Sequence, residues 1–227
     1  EGEEPERLYF DGPNPDQPQV VQRWSPDGRL VGQLGVCSGS TSHWLPDKGT
    51  ALWATDVAID GDVVYTLDRD LLQRRSGPLP DWSYWAGADA PIGQRSHLVA
   101  VAADAGHVAL LDAGARSVTL LGGDGAVAHR WPLVCEGDCG VPSDIALSGA
   151  HLFVAEGSAA RVRRYALDGA PTGAWSTHMT PWRIGAGPDG DLVVLGRDGW
   201  AAAYDVAGRL AGAWPLPDRA ARAVDVA

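Results

Sequence analysis

The sequence predicts an all-β protein, a β-propeller of four-stranded blades closed into a ring of five. Three observations carry this prediction. A pair of bulky residues ten positions apart recurs around a turn, two short apolar segments precede each such pair, and the last residues of the chain match the first strand of the other units. Repetition at about 40 residues with four strands per unit is typical of propellers.

Each unit ends in a predicted β-hairpin. The bulky pairs are Trp24 and Leu34, Leu121 and Trp131, Tyr165 and Trp175, and Tyr204 and Trp214, and a degenerate copy runs from Arg75 to Trp85. Three of the turns hold Asp-Gly, which between alternating apolar runs is a strong hairpin signal. The fourth regular copy has Ala207-Gly208 at this place.

Two more strands precede each hairpin, as in "DVAID" then "DVVYTLD" and in "DIALS" then "HLFVAEG". The first of the two is small and apolar, with Val57-Ala58, Val101-Ala102, Ile145-Ala146 and Ile184-Gly185 at its centre. Small residues suit strands that crowd around an axis. We therefore expect this strand to be innermost and the tryptophan-bearing strand to be outermost.

The ring is predicted to close through the two termini. "RLYFDG", "PQVVQRWS" and "RLVGQL" would supply three strands of a blade, and Asp225 to Ala227 would supply its innermost strand. The chain is then one domain, 1–227, with blades at about 222–227 plus 1–36, 54–88, 98–133, 142–177 and 181–216. The alternative is a fragment of a propeller with six or more blades.

Composition excludes some classes of function. The net charge is −11 with a single lysine, Lys48, and this acidity disfavours binding to nucleic acid. No run of apolar residues is long enough to span a membrane. Three cysteines allow one disulfide, and Cys135 and Cys139 in "CEGDCG" are close enough to form it. A bridge there would indicate an oxidising compartment, whereas reduced thiols would be compatible with the cytosol.

The repeat resembles the NHL family of propeller repeats. The best match is Val141 to Trp175, in which Pro142, Ile145, Ala146, Phe153, Val154, Ala155, Glu156, Arg161, Val162, Tyr165, Asp168, Gly169 and Trp175 fall in register. The resemblance implies a propeller fold. It is weak evidence for any particular activity, because NHL-like propellers serve as protein-binding scaffolds, as RNA-binding domains and occasionally as lyases or lactonase-type hydrolases.

Three histidines lie on predicted inter-blade connections and form a candidate metal site: His43, His97 and His178. A histidine cluster of this kind could hold zinc, as in the amidating lyases that resemble this repeat family. Their distances to the following inner strand differ, at fourteen, four and six residues. The unequal spacing favours ordinary surface histidines.

A second set of residues is in register. Asp56, Asp144 and Asp225 each precede the first apolar residue of an inner strand, and Arg183 takes this position in another blade. Carboxylates around an axis could coordinate calcium or hold an arginine, and lactonase-like propellers place metal ligands there. The alternative, which we favour, is that these aspartates bond backbone amides between blades.

Several tryptophans fall outside the repeat position. Trp44, Trp53 and Trp182 lie on or beside inter-blade loops, where an indole could anchor a protein or stack on a sugar. No nucleophile elbow, phosphate loop or dinucleotide motif is present.

The sequence thus predicts a non-enzymatic module without a cofactor. It would be secreted, on the cell surface or periplasmic, would bind a protein or glycan on its inter-blade loop face, and could be a subunit of a larger assembly. The alternative is a lyase or hydrolase that depends on calcium or zinc.

Overall fold

The computed structural model describes residues 21–24, 30–34, 54–68, 71–76, 82–86, 97–135, 137, 139–187 and 189–216. The chain divides into two compact units, Glu1–Trp53 and Ala54–Ala227. In the first unit, β1 (Val21–Trp24) pairs antiparallel with β2 (Leu30–Leu34), with Val21 opposite Leu34.

The second unit contains four antiparallel sheets of four strands each, which we call blades 1 to 4. Blade 1 is β3 (Ala54–Asp60), β4 (Val63–Asp68), β5 (Leu71–Ser76) and β6 (Trp82–Ala86). Blade 2 is β7 (Leu98–Asp104), β8 (His107–Asp112), β9 (Ser117–Leu121) and β10 (Val127–Pro132).

Blade 3 is β11 (Pro142–Ser148), β12 (His151–Glu156), β13 (Arg161–Ala166) and β14 (Pro171–Ser176), with a short 3-10 turn at Gly157–Ala159. Blade 4 is β15 (Pro181–Ala186), β16 (Leu192–Gly196), β17 (Trp200–Tyr204) and β18 (Leu210–Pro215). Strands pair in chain order within every blade. The predicted four-stranded blades are therefore confirmed.

The outer hairpins turn at glycines in the left-handed region. Gly125, Gly169 and Gly208 have φ of 81°, 89° and 79°. In two of these turns the preceding aspartate fixes the loop: Asp124 Oδ1 accepts from the amide of Ala126 at 3.0 Å, and Asp168 Oδ1 accepts from Ala170 at 2.9 Å. The Asp-Gly signal thus works as expected, because aspartate bonds its own turn and glycine tolerates positive φ.

The hydrophobic core lies between consecutive blades. One cluster joins blades 1 and 2, a second joins blades 2 and 3, and a third joins blades 3 and 4. Trp131 of blade 2 packs on Gly169 of blade 3, where an added Cβ would lie 2.6 Å from the ring, and Trp175 of blade 3 packs in the same way on Gly208 of blade 4. Each tryptophan can pack there because the residue beneath it is a glycine. The same glycine forms the hairpin turn, so one residue serves both the turn and the contact between blades.

The prediction of five closed blades is corrected, because the described residues form four four-stranded blades and one two-stranded sheet. The proposed closing strand, Asp225 to Ala227, lies outside the described residues. Of the four strands predicted for the N-terminal blade, the described residues contain two, β1 and β2, which pair with each other. The part of the chain described contains no helix with the length and apolar character that crossing a bilayer requires.

Candidate functional site at the inner strands and the loop face

The innermost strands of blades 1 to 4 line one cavity of about 120 Å³. Its walls are the small apolar residues that the sequence indicated, among them Val57, Val101, Ile145 and Ile184, with Asp56 and Asp144 also lining it. A space of this size holds a few water molecules. The first strand of each blade is therefore innermost, as predicted.

Asp56 and Asp144 join neighbouring blades. Asp56 Oδ2 accepts a hydrogen bond from the backbone amide of Val101 at 2.6 Å, and Asp144 Oδ2 accepts from the amide of Ile184 at 2.7 Å. Both carboxylates are buried. A buried amide needs an acceptor, and a charged acceptor gives the stronger bond. These contacts support the interpretation that the aspartates hold the blades together.

Arg183 occupies the equivalent position in blade 4 and reaches two other blades. Its Nη2 donates to the carbonyl oxygen of Thr55 at 3.4 Å, and its Nη1 lies 3.7 Å from Asp144 Oδ1. In blade 2 the position is Ala100, which has no acceptor. Asp225, the third aspartate of the predicted set, lies outside the described residues.

A second level of inter-blade bonds lies at the far end of the inner strands and was missed by the sequence interpretation. Asp60 accepts from the amide of Gly106 at 2.7 Å, Asp104 accepts from Gly149 at 2.6 Å, and Ser148 donates to the carbonyl of Gly187 at 2.8 Å. The signal was present, because these residues follow Asp56, Ala100 and Asp144 by four positions. Side chains four apart in a strand share a face.

Two of the three histidines of the predicted metal site, His97 and His178, belong to the described residues. His97 precedes the inner strand of blade 2, and His178 precedes that of blade 4, with a left-handed φ of 57°. Both are exposed. No group of three or more histidine, cysteine or acidic side chains suited to a metal occurs within the described residues. His43, Trp44 and Trp53 lie outside those residues.

Cys135 and Cys139 lie in the connection between blades 2 and 3. The structure joins their sulfur atoms, and their Cα atoms are 5.1 Å apart, within the range of disulfides. This connection is anchored at both ends: the Val134 amide donates to Tyr165 Oη at 3.1 Å, and Arg116 Nη1 donates to the Gly140 carbonyl at 2.6 Å.

Glu156 is the buried centre of an arginine cluster that the sequence did not reveal. It has no exposed surface, and its Oε2 accepts from Arg161 Nε at 2.5 Å. Arg163 Nε lies 3.8 Å from the same oxygen, and Arg116 Nη2 of blade 2 lies 3.9 Å from Oε1. The resemblance included Glu156 and Arg161 as repeat positions, but it indicated neither their pairing with each other nor the approach of Arg116 from blade 2.

Buried tyrosines lie beside the same connections. Burial raises the pKa of Tyr165 above its usual value of 10, against the opposing effect of the hydrogen bond from Val134. Burial also raises the pKa of Tyr204, which donates to the carbonyl of Thr177 at 2.8 Å. Both hydroxyls tie an outer strand to an inter-blade connection.

Among the predicted binding residues that the structure describes, Trp182 is the one that is not buried. It sits at an irregularity of β15, where Pro181 pairs with Gly196 but Arg183 pairs with Leu195. A bulge of this kind redirects a side chain. The indole is half-buried, and the guanidinium of Arg197 lies over it, with Cζ 3.6 Å from the ring centroid.

The same bulge recurs in all four blades and holds different residues. Thr55 and Ser143 use their hydroxyls on the carbonyls of Leu67 and Ala155, at 3.1 and 3.4 Å. Val99 occupies the position in blade 2. Only in blade 4, among these described blades, does the bulge carry an aromatic residue, so Trp182 departs from the structural use of the position.

Four-stranded antiparallel blades, inner strands around one cavity and cores between consecutive blades define this unit as a β-propeller. No family model matches the chain, and no curated protein matches it. Several solved structures, however, are similar to it. A streptogramin B lyase structure is similar with a TM-score of 0.59 at 16% identity, covering 79% of this chain and 59% of that one.

Virginiamycin B lyase from Staphylococcus aureus gives a TM-score of 0.59 at 15% identity, covering 87% of this chain and 63% of that one. A protein of unknown function from Bacteroides caccae gives 0.57 at 13% identity, covering 88% and 73%. The chain thus spans about three fifths of the length of the lyases it resembles. At these identities the likeness shows the fold alone.

Proposed function

We propose that this protein is a non-enzymatic β-propeller that binds a glycan on its inter-blade loop face. The observation that carries the proposal is Trp182, a half-buried indole at a bulge where other blades carry a threonine, a valine or a serine. Indoles supply large apolar surfaces that stack on sugar rings and anchor partners.

The contacts of the other acidic residues considered for a metal site support structural roles for them. Asp56 and Asp144 each use one carboxylate oxygen to accept a bond from an amide of the next blade, which is a structural role. Glu156 is surrounded by arginines, which would compete with a metal ion for its oxygens. Ligand contact through Trp182 requires none of these groups.

The finer assignments are part of this proposal. The repeat is of the NHL-like type, the protein is extracytoplasmic, and the Cys135–Cys139 bridge stabilises the connection between blades 2 and 3. A protein partner on the same face, within a larger assembly, is the other ligand that the accessible indole would suit.

Replacing Trp182 with the residue of blade 1 tests the proposal. Trp182→Thr should abolish glycan binding on a glycan array and by calorimetry, while the melting temperature stays close to that of the wild type. Val99→Thr introduces the same residue at the equivalent bulge of blade 2 and serves as the matched control. Unchanged binding by Trp182→Thr, or no binding of any glycan by the wild type, would contradict the proposal.

A metal-dependent lyase or hydrolase is the second candidate, favoured by the likeness of the fold to two lyase structures. His97 and His178 are the described residues that could contribute ligands, with zinc or calcium as the ion. The test is elemental analysis of the purified protein. Stoichiometric metal, removed by a chelator together with a lyase or hydrolase activity, would support this candidate over the binding module.

A further inference from the structure

We propose that the loop-face edge of blade 4 recognises a carboxylate-bearing sugar, through Arg197 held against Trp182. This inference rests on the proposed function and names its ligand class. The edge comprises Trp182, Gly196, Arg197 and Trp200, which lie at the same end of strands β15, β16 and β17.

Blade 4 departs from the other blades at three positions of this edge. Strand pairing places Gly196 of β16 where blades 1 to 3 have Asp68, Asp112 and Glu156. It places Trp200 where they have Leu71, Ser117 and Arg161. Trp182 is the third departure.

In blades 2 and 3, where the contacts of this acidic residue are described, it bonds to other groups of the protein. Asp112 Oδ1 accepts from the amides of Ala115 and His97 at 2.8 and 3.3 Å, and Glu156 pairs with Arg161. Blade 4 has a glycine at this strand position, where an added Cβ would collide with the carboxylate oxygen of Asp198 and lie 3.0 Å from Met179 Sδ. The carboxylate at this edge of blade 4 therefore comes from Asp198, and the salt bridges of the described residues do not pair it with Arg197.

Arg197 is positioned but not neutralised. Its amide donates to the carbonyl of Thr180 at 3.1 Å, and its guanidinium lies over the Trp182 ring. Among the described residues no carboxylate lies within ion-pair distance of it, although Asp198 is adjacent in sequence. Cation–π contact with the ring leaves the edge of the guanidinium, with its N–H donors, available to an anion.

The ligand follows from these groups. A guanidinium edge binds a carboxylate through two parallel hydrogen bonds, and an exposed indole covers the C–H face of a sugar ring. Trp200 is 46% exposed at this edge. A uronate offers both a carboxylate and an apolar ring face. With a net charge of −11 the rest of the surface repels anions, so a local cation is required to hold one.

The probes are trigalacturonate, its methyl ester, which has the same rings without charge, and an aspartate-rich peptide. Binding to the full chain is measured by calorimetry at two salt concentrations. The wild type should prefer trigalacturonate to the ester by roughly tenfold or more, and salt should weaken the preference. Arg197→Gln should abolish the preference. Arg209→Gln, at an exposed arginine on the outer turn of the blade, is the matched control and should keep it.

Equal affinity for the acid and the ester, the same loss in Arg209→Gln, or binding of the peptide alone would overturn the carboxylate proposal. So would a failure of trigalacturonate to bind. If neutral glycans bind and require Trp182 while the acid has no advantage, only this inference fails. If no glycan binds, the proposed function fails with it.

Discussion

Blades 3 and 4 share one architecture but use the same edge differently. In blade 3 the edge carries Glu156, Arg161 and the serine of its bulge, and all of these have partners inside the protein. In blade 4 the equivalent positions are Gly196, Trp200 and Trp182. The first edge holds the blade to its neighbour, whereas the second presents aromatic rings and an arginine to solvent.

The difference shows where a repeat protein can acquire a site. The positions of this edge make structural contacts in blade 3. A residue that does not make them in blade 4 can contact a ligand instead. Three such departures coincide at one edge of blade 4.

The largest effect on stability is expected at Glu156. Glu156→Gln would leave Arg161 and Arg163 without their buried counter-charge, and we expect a loss of about 3–5 kcal/mol in the free energy of unfolding. Arg197→Gln in blade 4 should leave stability close to the wild type. Urea denaturation of both variants checks the contrast, and similar midpoints would refute it.

The stacking of blades 2 and 3 can be broken at a glycine. Gly169→Ala would bring a Cβ to 2.6 Å from Trp131 at a φ of +89°, and we expect a loss of about 2–4 kcal/mol. Gly212→Ala is the control, since nothing lies within 4 Å of the added atom. If the two variants melted alike by circular dichroism, the tryptophan-on-glycine contact would not stabilise the stack.

Alkaline pH should loosen the buried tyrosines. Burial raises the pKa values of Tyr165 and Tyr204, so their stabilising effect is complete below the unfolded value near 10 and is lost as pH rises through the folded values. Urea denaturation at neutral pH and at about pH 10.5 measures the loss. Tyr165→Phe should show a smaller decrease than the wild type, and an equal decrease would contradict the assignment.

The smallest effect is expected at the outer turn of blade 4. Asp205 accepts bonds from the Arg209 amide and side chain, which lower its pKa, but the pair is at the surface. Asp205→Asn should therefore leave the denaturation midpoint at neutral pH unchanged within error. A shift as large as that of Gly169→Ala would show that this turn is a structural anchor.

Features that depend on local chemistry could be predicted from the sequence. The hairpin glycines, the four strands per blade and the inner position of the small strands all follow from patterns within one repeat. The inter-blade use of Asp56 and Asp144 followed from their register. In each case the residue type and its spacing contain the information.

Features that depend on contacts between repeats could not be predicted. Arg116 is 40 residues from Glu156, and the amide that Asp104 accepts from belongs to Gly149. The accessibility of Trp182 depends on a bulge whose existence only strand pairing reveals. Arg197 was missed because nothing in its own sequence context marks it. It stands out only when strand pairing shows that the preceding residue, Gly196, replaces an acid of the other blades.

Indole N–H resonances of the tryptophans, followed by NMR during titration with trigalacturonate, test the central claim most directly. We predict that the signals of Trp182 and Trp200 shift with saturable dependence on ligand, while those of Trp131 and Trp175 between the blades stay in place. Shifts confined to Trp131 and Trp175, or none at Trp182, would contradict a binding site on the edge of blade 4.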